Sequence, residues 1–104
     1  MADAAGDALF RDRWTARAGL IRGPVGRLRA RIRHPKLHVI ERGLRRFLAG
    51  AGAGAGERPI EVHEHGCGSG QNLHILRQLL GGAGGRLRFS GSDISPRAVE
   101  LANQ

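Results

Sequence analysis

Cysteine occurs once in the 104 residues, as Cys67; tryptophan also occurs once, phenylalanine three times and tyrosine not at all. A single cysteine excludes an internal disulfide framework and any zinc site built on several cysteines. It fits a reducing, cytoplasmic setting. No apolar run approaches the roughly 20 residues that span a bilayer. The first residues, MADAAGDALFRDRW, carry acids where a secretory signal carries bases, and no apolar segment follows them. A transmembrane or secreted protein is therefore not expected. Apolar residues make up 40% of the chain, enough for a packed core and too many for a wholly disordered protein. The length suits one small domain or part of a larger one.

Acidic residues are scarce in the first half. Residues 1–58 hold 13 basic and 5 acidic groups and so carry the whole net charge of +8, whereas residues 59–104 balance. This asymmetry suggests a basic segment that could meet nucleic acid or another anionic surface through residues 27–46. Sixteen of the 17 basic residues are arginine, with alanine and glycine abundant. A bias in coding base composition places arginine on exposed positions whatever the function, so a solvated basic face is the plainer reading.

Leu9, Phe10, Trp14 and Ala18 fall near helical spacing and predict a short amphipathic helix in residues 1–22, ended by Gly23-Pro24. Arg27, Arg29, Arg31 and Arg33 alternate as in a strand, while Leu28 and Ile32 lie four apart as in a helix. The two readings stay open up to Pro35, which ends the segment. Residues 36–49 predict a helix with Leu37, Ile40, Leu44, Phe47 and Leu48 as its apolar stripe and Glu41, Arg42, Arg45 and Arg46 on the other sides. The Gly/Ala run at 50–56 reads as a flexible linker. It divides a basic helical extension, 1–56, from a second unit, 57–104.

In that second unit the pattern becomes β-α-β-α. IEVHEH (60–65) and LRFSGSD (87–93) predict strands, residues 71–80 a helix, and GGAGG its stop. Ser95-Pro96 opens a second helix, serine as N-cap and proline in the first turn. Strand and helix in alternation predict a parallel, Rossmann-like sheet in an α/β fold.

The chemistry is concentrated where the first strand meets its helix. Gly66, Gly68 and Gly70 let the backbone turn tightly and let a ligand come close. Asp93, 23 positions after Gly70, ends the next strand, where a carboxylate can accept bonds from a pair of ribose hydroxyls. A dinucleotide loop has the spacing G-x-G-x-x-G, but the third position is Gln71 counted from Gly66 and Leu73 counted from Gly68. A nicotinamide-dependent oxidoreductase is therefore disfavoured. No G-K-[ST] is present, which excludes a Walker phosphate loop.

Glu64-x-Gly66-Cys67-Gly68-Ser69-Gly70 resembles the first motif of class I S-adenosylmethionine-dependent methyltransferases, and Gly91–Ala102 resembles their ribose-binding region. The resemblance covers about residues 59–104. It implies that Gly66, Cys67, Gly68, Ser69 and Gly70 wrap the methionine moiety, with Asn72 at the start of the next helix. It also implies that Glu64 orients the loop and meets the ligand's amino group, that Asp93 holds the ribose and that Ile94 packs on the adenine. S-Adenosylmethionine would be the cofactor and methyl transfer the reaction. The acceptor stays open: residues 95–103 are similar to enzymes that methylate nitrogen on RNA or protein, and Gly70-Gln71-Asn72-Leu73 to small-molecule or lipid-modifying members.

The family's domain is a seven-stranded sheet, of which two strands are recognisable here. The chain is thus expected to be an incomplete, N-terminal portion, inactive alone, with no nameable catalytic residue and an open sheet edge through which it could self-associate. His63 and His65 also depart from the family, whose strand is apolar there. Imidazoles two apart on a strand can share a cation, but no third ligand is evident beyond His74 or Cys67. Neutral histidines hydrogen-bonded beside the sheet are expected, with no metal. The competing function is a basic RNA- or polyanion-binding module, although the few aromatic residues provide no stacking platform.

Overall fold

The computed structural model describes residues 8–11, 20–51 and 58–103. Its elements are β1 (Ala8–Arg11), α1 (Gly23–Arg33), α2 (Pro35–Ala51), β2 (Ile60–His65), α3 (Gln71–Leu80), β3 (Leu87–Asp93) and α4 (Pro96–Ala102), with a 3-10 turn at Gly81–Gly84. The fold is mixed α/β: four helices and a three-stranded sheet in the order β1-β3-β2.

β2 and β3 pair in parallel, Ile60 opposite Leu87 and His65 opposite Ser92. Phe89 and Leu87 point inward and are buried, as their alternation predicts. α4 begins as the sequence indicates: the Ser95 hydroxyl accepts the Ala98 N–H at 3.2 Å, with Pro96 in the first turn.

Two expectations for the first half are corrected and one open reading is settled. Residues 8–11 are a strand, not part of a helix, and they lie antiparallel to β3, so the sheet is mixed rather than wholly parallel. Phe10 explains the change. In strand pairing its ring reaches the core and is 1% exposed, a gain that outweighs the weak local preference. Trp14 and Ala18 of the expected helix lie outside the described residues. Gly23-Pro24 opens α1 rather than ending a helix, because proline in the first turn lacks an N–H that would be unsatisfied there anyway. The alternating arginines are helical, and Pro35 starts α2 after a one-residue break at His34. α2 includes Gly50 and Ala51, the first two residues of the Gly/Ala run; residues 52–56 of the expected linker are not among those described.

α3 is buried on two sides. Leu73, Leu76 and Leu80 pack with Phe10, Phe89 and Val99 against the sheet, while Ile75 and Leu79 pack with Ala30 and Leu37 beneath α1 and α2. A further departure concerns Glu41, expected on an outer side of α2. It is 1% exposed. Arg31 donates to it from Nε at 3.0 Å and Nη2 at 2.9 Å, Arg45 donates from Nε at 3.1 Å, and His38 Nδ1 lies at 3.1 Å. Arg45 also donates to the Leu79 carbonyl at 3.0 Å, tying α2 to the end of α3.

Among the described residues, no strand pairs with the outer edge of β2. Ile60 and Gly66 donate their N–H groups inward, to Arg86 and Ser92, so by the parallel alternation those of Glu61, His63 and His65 face outward. An unpaired edge is a template for another strand. Sedimentation of the purified chain is expected to show concentration-dependent association, abolished by Glu61→Pro, which removes an outward N–H and no ladder bond. Association that survives this substitution would place the contact elsewhere.

Candidate functional site

The glycine loop is held against β3 by backbone bonds. The Gly66 and Cys67 N–H groups both donate to the Ser92 carbonyl, at 2.7 and 2.9 Å, and the Gly70 N–H closes a turn onto the Cys67 carbonyl at 2.9 Å. Three loop glycines have positive φ: 72° at Gly66, 56° at Gly68 and 81° at Gly70. They serve two purposes. A Cβ on Gly66 or Gly68 would meet nothing within 4 Å, whereas one on Gly70 would press on Phe10 at 3.3 Å and Ala102 at 3.4 Å. Gly70 is thus required by packing, and Gly66 and Gly68 leave open space over the loop.

Asp93 clamps that loop from the end of β3. Its Oδ2 accepts the Gly68 N–H and its Oδ1 accepts the Ser95 N–H, each at 2.9 Å. These two bonds, the Ser95 one first, hold its carboxyl below the usual carboxylate range. A carboxylate offers about four acceptor positions, so the two oxygens keep capacity for further donors. The next residue, Ile94, is 80% exposed, a branched apolar side chain held in water beside the acid.

Glu64 closes the other side. Its Oε2 accepts a bond from Asn72 Nδ2 at 3.3 Å. Its Oε1 is buried and has no hydrogen-bond partner, a costly state for a carboxylate oxygen. The side chain borders a pocket of about 170 Å³ between α2 and β2, shared with Asn72, Leu37 and Ile40.

The structure therefore brings Glu64, Gly66, Gly68, Asn72, Asp93 and Ile94 to one end of the parallel strand pair. Ser69 lies exposed on the loop. The Cys67 side chain does not join them. It turns into the core, and burial, followed by the charges of Glu64 and Asp93, pushes its thiol up. A protonated buried thiol is inert, so Cys67 contributes through its backbone.

Sequence reasoning placed Gly91 at the start of the second motif but missed its packing role. An ideal Cβ there would lie 2.5 Å from Cys67 Cβ and 2.6 Å from its Sγ. A glycine in mid-strand was the available signal, since it marks a close approach.

His63 and His65 are exposed on one face of β2, their rings 4.8 Å apart. His63 bonds the Ser90 and Ser92 hydroxyls at 2.8 and 3.1 Å, and His65 bonds Ser92 at 3.2 Å. Among the described residues no three His, Cys, Asp or Glu side chains converge as a metal set, and no helix is long and apolar enough to cross a membrane. Comparison with family models, with curated proteins and with solved structures gave no match for this chain.

Proposed function

We propose that this chain is the cofactor-binding part of an S-adenosylmethionine-dependent methyltransferase, built on a Rossmann-like sheet. The observation that carries the reading is the buried Glu64 Oε1, without a hydrogen-bond partner, two residues before the start of the loop that Asp93 clamps. An ammonium group satisfies such an oxygen, and an amino acid tail provides one. The open space over Gly66 and Gly68 admits the ligand's backbone-facing side. Asp93 has acceptor positions left for two hydroxyls, and exposed Ile94 offers an apolar wall to a flat base.

S-Adenosylmethionine supplies a methyl group on a sulfonium, which a nucleophile displaces in line. In this reading the chain's own residues bind and orient. Glu64 fixes the tail and Asp93 the ribose, so the position of the sulfonium between them is set by two charged anchors on adjacent strands. Cys67, protonated and buried, takes no part in the transfer.

Calorimetric titration with S-adenosylhomocysteine tests this. Saturable binding is expected, with NAD not competing. Asp93→Ala and Glu64→Gln should each weaken it about tenfold or more, because both remove a charge-assisted bond. Gly68→Val should abolish binding while the circular dichroism spectrum is kept, since its Cβ enters the ligand's space rather than the core. Failure of the chain to bind, or binding indifferent to all three substitutions, would overturn the reading.

A further inference from the structure

The sequence from Leu20 to Ile40 contains five arginines and a lysine and no acidic residue. A solvated helix face ordinarily intersperses both signs. The structure sets one of these cations apart from three others that line a single groove. Arg31 is taken up by buried Glu41, as is Arg45 further along α2. Arg22, Arg29 and Arg33 make no side-chain bond to any described residue. Arg29 and Arg33, four apart, share one face of α1, and Arg22, its N-cap, borders the same groove.

That face borders a groove of about 350 Å³ between α1 and the start of α3, lined by Arg22, Arg29, Arg33 and His34, with Ile75 and Gln71 on the α3 side. The three guanidinium-bearing positions extend over about 16 Å of helix. That is too long for one phosphate and suited to several in succession. Planar guanidinium forks match phosphate oxygens in pairs. No phenylalanine, tyrosine or tryptophan lines the groove and His34 is the one ring there, so a run of bases has no stacking platform and recognition falls to the backbone of the ligand.

We propose that the α1–α3 groove binds the phosphate backbone of a single-stranded nucleic acid, independently of sequence. Gln71 directly follows Gly70, so a strand in the groove lies beside the glycine loop. The proposal stands without the cofactor reading, because it concerns a different face and a different ligand.

Fluorescence anisotropy with a labelled oligouridylate 12-mer, over a series of salt concentrations, tests it. The triple variant Arg22→Gln, Arg29→Gln, Arg33→Gln is compared with Arg58→Gln, Arg88→Gln, Arg97→Gln, which loses the same charge elsewhere. The groove variant should bind about tenfold to a hundredfold more weakly at 0.1 M salt. Its log–log salt slope should be shallower by about 2, three phosphate contacts at about 0.7 each. The control should keep the wild-type slope to within about one contact. Equal weakening in both variants would reduce the effect to bulk charge and overturn the proposal, as would unaltered binding. Phosphatidylglycerol vesicles form a second arm, because Val25, Leu28 and Ile32 are also exposed on α1. Binding to vesicles without binding to the oligonucleotide would assign the face to a lipid surface and overturn the proposal too.

Discussion

Replacing Gly91 by alanine is expected to destabilise the protein by about 3 kcal/mol or more, at the upper end of overpacking costs. The new methyl group would overlap Cys67 Cβ and Sγ at 2.5 and 2.6 Å and crowd Phe10 at 3.2 Å. Relief is blocked on both sides. The Cys67 backbone is fixed by its bond to the Ser92 carbonyl, and Gly91 lies in β3 between paired strands. The contrast with Gly68→Ala is instructive. That methyl group meets nothing within 4 Å, so its cost reduces to backbone strain at a φ of 56°, about 1–2 kcal/mol. Because the clash is with Cβ as well as Sγ, Cys67→Ala should not rescue Gly91→Ala, whereas Cys67→Gly should. Thermal unfolding of the single and double variants measures this coupling. Additive losses when Gly91→Ala is combined with Cys67→Gly would show that the strand, not the loop, takes up the strain.

This pair of residues also illustrates what the sequence made legible. From Ile60 onward the reading depends on local signals: alternation in two strands, a glycine loop, and a Ser-Pro helix start. Each of these is decided by neighbouring residues, and the elements at 60–65, 71–80, 87–93 and 96–102 follow the reading closely. The positions of Asp93, Glu64 and the loop relative to one another then follow from parallel pairing, which puts the ends of both strands side by side. What was hidden depends on partners distant in the chain. Phe10 pairs and packs with residues 70–102, so its helical spacing to Trp14 was misleading. Glu41 looked solvent-facing on α2 because its burial is created by Arg31, on another helix. The alternating arginines of α1 could not be assigned by period alone, since both periods were present in the same eight residues. The identity of the free arginines likewise needed the structure, because it depends on which of them Glu41 consumes.

Lowering the pH from 5 to 2 is expected to remove about 2 kcal/mol of stability through Glu41 alone. Its carboxyl is held well below the ordinary 4.5, at about 2, chiefly by the bidentate bond from Arg31, with burial opposing and with His38 and Arg45 adding to the depression. A depressed carboxyl has a definite linkage sign. Above about pH 4.5 it is ionised in both folded and unfolded chains, and the stabilisation is fully present. As the pH falls the unfolded chain takes up the proton first, so stability is lost progressively and is gone once the folded carboxyl titrates near 2. The full shift corresponds to about 3 kcal/mol, and the partial exposure of Arg31, His38 and Arg45 reduces this to about 2. Glu41→Gln should therefore lower Tm by roughly 10 °C at neutral pH, and the gap from wild type should close as the pH approaches 2. Other carboxylates, Asp93 included, titrate in both proteins and cancel in the difference. The structural basis of the effect is that one carboxylate joins α1 to α2 and, through Arg45, orients the bond to the Leu79 carbonyl at the end of α3. A Tm difference that stays constant from pH 7 to pH 2 would mean that Glu41 acts by shape rather than charge, and the three-helix junction would then rest on the Ala30, Leu37, Ile75 and Leu79 packing instead.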